Sequence, residues 1–160
     1  MALSSGDGVS EMDTKTKLET ALKEALKSGD EVKKRTIRMT LAAIHQAEVD
    51  RQTTLDESAV ISLLQKEIKS RTETVEEARR AQRSDIVAAT EAEIAILQAY
   101  LPQAMSAEEL TALAQAVIAE AGATSVADMG RVMKALMPRV AGRASGDQVS
   151  ATVRQLLQNR

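Results

Sequence analysis

Apolar residues recur at helical spacing along almost the whole chain, and capping residues, glycines and prolines cut the pattern into seven segments. Asp13 or Thr16 can open the first, with Thr16 and Glu19 at capping-box spacing; Leu18, Leu22, Ala25 and Leu26 share a face, and Gly29 offers a stop. Asp30 caps a second segment that runs to about Asp50 and carries Val32, Ile37, Leu41, Ile44 and Val49 over a broad arc. A third opens at "TLDE", where Thr54 and Glu57 match a capping box, continues through Ile61, Leu64, Ile68, Val75 and Ala78, and ends near Gln82. Its "RTETVEEARRAQR" end is mostly polar and reads as solvated. Ser84 or Asp85 begins a fourth, with Val87, Ile94, Leu97 and Leu101 in register, until Pro102 forces a break.

Beyond that break, Ser106 and Glu109 form a capping box ahead of Leu110, Leu113, Val117 and Ile118, and Gly122 closes the helix. Thr124 or Ser125 starts the next, with Asp128 in its first turn, where the helix dipole favours an acid. Met129, Val132, Met133, Leu136 and Met137 make one stripe that Pro138 is expected to terminate. Ser145 and Gln148 cap a last helix bearing Val149, Val153, Leu156 and Leu157. The pattern predicts an all-α protein: a disordered tail over 1–11, an N-terminal antiparallel helical domain over 12–101, and a small C-terminal three-helix domain over 102–160.

Composition agrees, since alanine abounds, Phe and Trp are absent and Tyr100 is the sole aromatic residue. With no cysteine, disulfides and thiolate chemistry are excluded, and neither a metal nor a cofactor is expected. No apolar run has the length of a membrane span, and "MALSSGDGVSE" has neither the basic start nor the apolar centre of a secretory signal, so a cytoplasmic location is expected.

Chemistry has few carriers. His45, the only histidine, sits mid-helix and reads as structural. Glu73, Glu76 and Glu77 alternate with arginines, as on a solvated face with i,i+4 pairs. "KKRTIR" (33–38), beside Asp30 and Glu31, reads the same way. No phosphate-cradling glycine loop or nucleophile elbow is present, so no catalytic residue is assigned.

Charge changes the picture. The net value of −2 conceals segregation: residues 102–128 carry four acids and no base, whereas 129–160 carry six bases against Asp147 alone. The stretch "ADMGRVMKALMPRVAGRASGDQVS" (127–150) combines this charge with three of the seven glycines. On a helical wheel Arg131 and Lys134 lie opposite the methionine stripe; Arg139 and Arg143 follow on a loop, and Arg154 sits on the last helix. Two readings stand side by side. Gly130 can serve helix packing and Gly142 a turn, with the bases conferring solubility. Alternatively, bare backbone at Gly130 and Gly142 flanked by Arg131, Lys134, Arg139, Arg143 and Arg154 suits a polyanion held by its backbone, since base stacking would need aromatic residues.

The elements Asp128-Met129-Gly130, Val132-Met133, Leu136-Met137-Pro138 and Gly142-Arg143 leading into Gly146 resemble the tail motif of the YqeY-type family, which is shared with the C-terminal tail of the B subunit of bacterial glutamyl/aspartyl-tRNA amidotransferase. "TIRMTLAAI" (36–44), "LLQKEIKSRTETVEEARRAQRSDIV" (63–87) and "EIAILQAYLPQAMSAEEL" (93–110) extend the resemblance over about 12–160. Ser145 departs from the Asp common in the family, and both residues cap helices. The resemblance implies two helical domains and a non-catalytic accessory protein that binds tRNA or tRNA-like RNA through its basic C-terminal residues. A glutamine-dependent carbon–nitrogen ligase label would be inherited from the tail alone. The alternative is a helical adaptor that docks on an amidotransferase or an aminoacyl-tRNA synthetase, motivated by the long third helix and by Met129, Met133 and Met137.

Overall fold

The computed structural model describes residues 13–159, so the tail expected over 1–11 lies outside the described residues. Among these, seven α-helices and no strand occur, and the protein is all-α. The helices are α1 (Thr14–Ser28), α2 (Glu31–Arg51), α3 (Glu57–Arg80), α4 (Ser84–Gln98), α5 (Ala107–Ala121), α6 (Met129–Val140) and α7 (Gly146–Gln158). A 3₁₀ turn, Val126–Asp128, leads into α6. The chain divides between Tyr100 and Leu101 into two compact units.

In the first unit α1 packs on α2 and α3 on α4. Asp13, rather than Thr16, caps α1 by accepting from the Thr16 N–H at 2.7 Å, and Gly29 ends it in the left-handed region at φ 73°. Asp30 caps α2 as expected. The start of α3 differs: Asp56 is the cap, accepting from the Ala59 N–H at 2.8 Å, and the Thr54–Glu57 box does not form. Glu57 instead accepts from the Thr14 N–H at 2.9 Å and from the Thr14 hydroxyl, which ties α3 to the start of α1. A bond spanning 43 residues has displaced a local one.

The end of α3 is not fully solvated. Val75 and Ala78 are buried, and Arg79 reaches Glu91 on α4. Further up, the nearly buried Arg71 donates to Glu67 at 2.7 Å and to Glu93 of α4 at 3.2 Å. Ion pairs therefore clamp α3 to α4 along its polar side, while Glu76 and Arg80 pair loosely at 3.9 Å, one turn apart. Helix α4 stops at Gln98, four residues before Pro102.

Buried and half-buried polar groups are handled unevenly. Glu48 accepts from Lys15 at 2.8 Å and from the Leu55 N–H at 2.9 Å, joining α1, α2 and the approach to α3. Lys15 first and then the Leu55 N–H hold its carboxyl below the usual range. Thr40 donates to the Thr36 carbonyl at 3.0 Å, but the Thr36 hydroxyl, fully buried, has no partner among the described residues.

Candidate nucleic-acid interface

The second unit wraps α5, α6 and α7 around an aliphatic core centred on Ala114, Val117, Val132, Leu136, Val149 and Val153. Ser106 and Glu109 form the expected capping box at the head of α5, Gly122 closes that helix at φ 65°, and Ser145 with Gln148 caps α7. The α5 axis and the helical run Val126–Val140 meet at 92°. Met129, Met133 and Met137 are partly buried against the core, so they fill it rather than offer a free surface.

Pro138 does not end α6. The helix continues to Val140, whose side chain is fully buried, and closes at Ala141 and Gly142, both with positive φ (52° and 78°). Pro138 lies in the last turn, where it lacks the N–H that would serve the Lys134 carbonyl. Arg139 therefore stands on the helix and not on a loop.

The predicted cationic residues fall into separate groups. Arg131 and Arg139 both turn toward the C-terminal end of α5. Arg131 donates to the Ala121 carbonyl and, at 3.1 Å, to Asp128; Arg139 donates to Glu120 at 2.9 Å. Guanidinium groups at a helix C-terminus satisfy its orphan carbonyls and suit its dipole. Arg143 sits at the opposite end of α5, donating to the Gln103 carbonyl and to Glu109, each at 3.0 Å. The helix rise puts about 16 Å between Glu109 and Glu120. Lys134 and Arg154 are exposed and make no ion pair among the described residues.

The acidic 102–128 segment and the basic segment after it are thus partners. Glu109, Glu120 and Asp128 each face one of the predicted arginines. The Thr124 N–H, then Arg131, then the Ser125 N–H hold the Asp128 carboxyl below its usual range, which marks it as an ionised organiser of the α5–α6 junction. These acids escaped the site reading because their partners lie up to 34 residues away, although the complementary segment charges were the available signal.

Gly130 answers the packing question directly. Among the described residues, a Cβ built there meets nothing within 4 Å beyond its own stretch of helix, so no close approach of another segment calls for glycine. Among the described residues, the groove between α5 and α7, lined by Met105, Leu110, Ala144, Gln148 and Leu156, carries no charged side chain and offers no acid–base group. Among the described residues, no three His, Cys, Asp or Glu side chains are placed to hold a metal ion.

A family model described as Yqey-like protein matches residues 15–157. The chain belongs to the YqeY-like family. It is similar to proteins named altered inheritance of mitochondria protein 41, mitochondrial. The one from Pyrenophora tritici-repentis is 31% identical over 146 residues, covering 88% of this chain and 79% of the relative. Those from Lachancea thermotolerans and Eremothecium gossypii are 39% and 38% identical over 99 and 111 residues, 61% and 67% of this chain. The match spans 53% and 60% of their own lengths.

These names correct the cytoplasmic expectation, because the matched relatives are mitochondrial proteins. That expectation rested on a missing membrane span and a missing secretory signal. A helical core of this kind is dictated by its own packing and carries no mark of the compartment in which it works. The relatives' names describe neither a reaction nor a ligand.

Proposed function

We propose that this YqeY-like chain is a non-catalytic accessory protein that binds tRNA or tRNA-like RNA by backbone and shape through its second unit, a three-helix tail domain related to that of the tRNA amidotransferase B subunit. Gly130 carries the reading. It is exposed, lies in a helix where Ala would be favoured, has no packing partner, and is followed by Arg131 and Lys134 on the outward face. A missing side chain there lets a sugar–phosphate strand approach the α6 backbone, with Lys134, Arg139, Arg143 and Arg154 available to phosphates.

The arginine bridges do not remove this capacity. Arg131, Arg139 and Arg143 keep 58%, 46% and 37% of their side-chain surface exposed. Exposed pairs of this kind are worth about 0–1 kcal/mol and exchange readily. The test is tRNA binding across a salt series with Lys134, Arg139 and Arg143 all changed to Gln. Loss of three phosphate contacts lowers affinity at least about tenfold and flattens the log K against log salt slope by roughly 2. Unchanged affinity in a normally folded variant overturns the site.

A protein-adaptor reading is favoured by a different face. Val32, Met39 and Val49 are 39%, 55% and 69% exposed on α2, and 3- and 4-residue steps connect them through Arg35, Ala42 and Gln46. Co-purification of a partner that resists ribonuclease and is lost on Met39→Glu supports it; retention of the partner by that variant sinks it.

A further inference from the structure

We infer that Glu109 and Glu120 are specificity-determining residues that restrict the RNA site to structured, phosphate-dense ligands. The inference rests on the proposed RNA-binding function and concerns what the site rejects. Each acid holds one arginine of the site at 3.0 and 2.9 Å, one at either end of α5. A polyanion gains the full charge of both guanidiniums only by displacing both carboxylates. A flexible single strand that meets one end at a time gains a single exchange and leaves the other arginine neutralised. A folded RNA whose backbone follows a fixed contour meets both ends together, about 16 Å apart, and makes the two exchanges in one binding event.

The anchoring of the arginines fits exchange rather than simple burial. Arg143 keeps its Nε bond to the Gln103 carbonyl while its Nη2 serves Glu109, so losing the carboxylate leaves the guanidinium positioned. Among the described residues, Arg139 has Glu120 as its one bonded partner and is free to swing once released. A displaced carboxylate attracts cations back from solution, so these acids lower the salt dependence of binding as well as its strength.

The experiment compares the intact chain with the Glu109→Gln/Glu120→Gln variant, using a tRNA transcript and poly(U) as probes over a salt series. Gln at 109 keeps the capping box, since the amide oxygen can accept from the Ser106 N–H that Glu109 now takes at 3.2 Å. The variant is expected to bind poly(U) about threefold to tenfold more tightly, with a smaller gain for tRNA and a steeper salt slope for both. A variant with unchanged poly(U) affinity and slope, on a chain that binds tRNA, overturns the inference and leaves the RNA function standing. No tRNA binding by either protein overturns the function itself. Equal gains for both probes overturn the discrimination, because the acids would then act as a uniform counter-charge.

Discussion

Replacing Gly130 by Ala separates the two uses a glycine can have. The residue lies in the first turn of α6, directly after the 3₁₀ turn, with helical backbone and open space where a Cβ would stand. Ala is favoured over Gly in a helix by about 0.8–1.0 kcal/mol, and somewhat less near an end, so the substitution should stabilise the protein by about 0.5–1 kcal/mol. For a chain of this length that raises Tm by about 1–4 °C, or by about 2–8 °C if the second unit melts alone. Calorimetry measures this, and Gly122→Ala supplies the contrast. There φ is 65°, so a side chain is strained despite open space and stability should fall by about 1–2 kcal/mol. The same Gly130→Ala protein should bind tRNA less tightly, since a methyl group now stands where the strand approaches. A destabilised Gly130→Ala protein would refute the open-space argument. A stabilised one with undiminished tRNA affinity would refute the role of bare backbone.

Two further predictions concern a buried hydroxyl of the first unit and one acid in each unit. Thr36→Val removes a fully buried hydroxyl without a partner while keeping the side-chain shape, and should raise the urea midpoint by the equivalent of about 1–2 kcal/mol. Glu48 and Asp128 have carboxyls held below their ordinary values of 4.5 and 3.8, so both favour the folded state above those values. That stability is lost as pH falls below them toward the lowered folded values, and Glu48→Gln should flatten the decline of urea midpoint measured between about pH 5 and 3.

Most of the fold was legible because its signals are local. Asp30, the Ser106–Glu109 box, Gly122 and the Ser145–Gln148 box each act within four residues, and all stand where the pattern puts them. The misreadings have long-range causes. Glu57 left its expected box because Thr14, distant in sequence, donates to it. The polar end of α3 is drawn in by Val75 and Ala78, which the apolar pattern already included, and by ion pairs to α4, which the pattern of a single helix does not reveal. Pro138 fails to stop α6 because, one turn from the end, it forfeits a single backbone bond while Val140 beyond it is fully buried. At the candidate site a helical wheel sorts inward from outward residues but is blind to which outward residues face another helix. Arg131 and Arg139 are therefore outward on α6 and still occupied by α5.

The type of cation used in the ion pairs of the second unit bears on their purpose. A lysine could neutralise Glu109 or Asp128 as a point charge, at an energy too small to matter much beside the aliphatic core. Arginine adds a rigid fork of five donors, and the structure uses that fork in two directions at once. Arg131 bonds the Ala121 carbonyl and Asp128, and Arg143 bonds the Gln103 carbonyl and Glu109. In each case the backbone carbonyl fixes the plane of the guanidinium, while the carboxylate occupies an edge that a phosphate fits equally well. A group held by the protein through one edge loses little freedom when a ligand takes the other. That arrangement keeps the internal ion pairs of the second unit compatible with the proposed RNA binding, since each carboxylate can yield its edge to a phosphate.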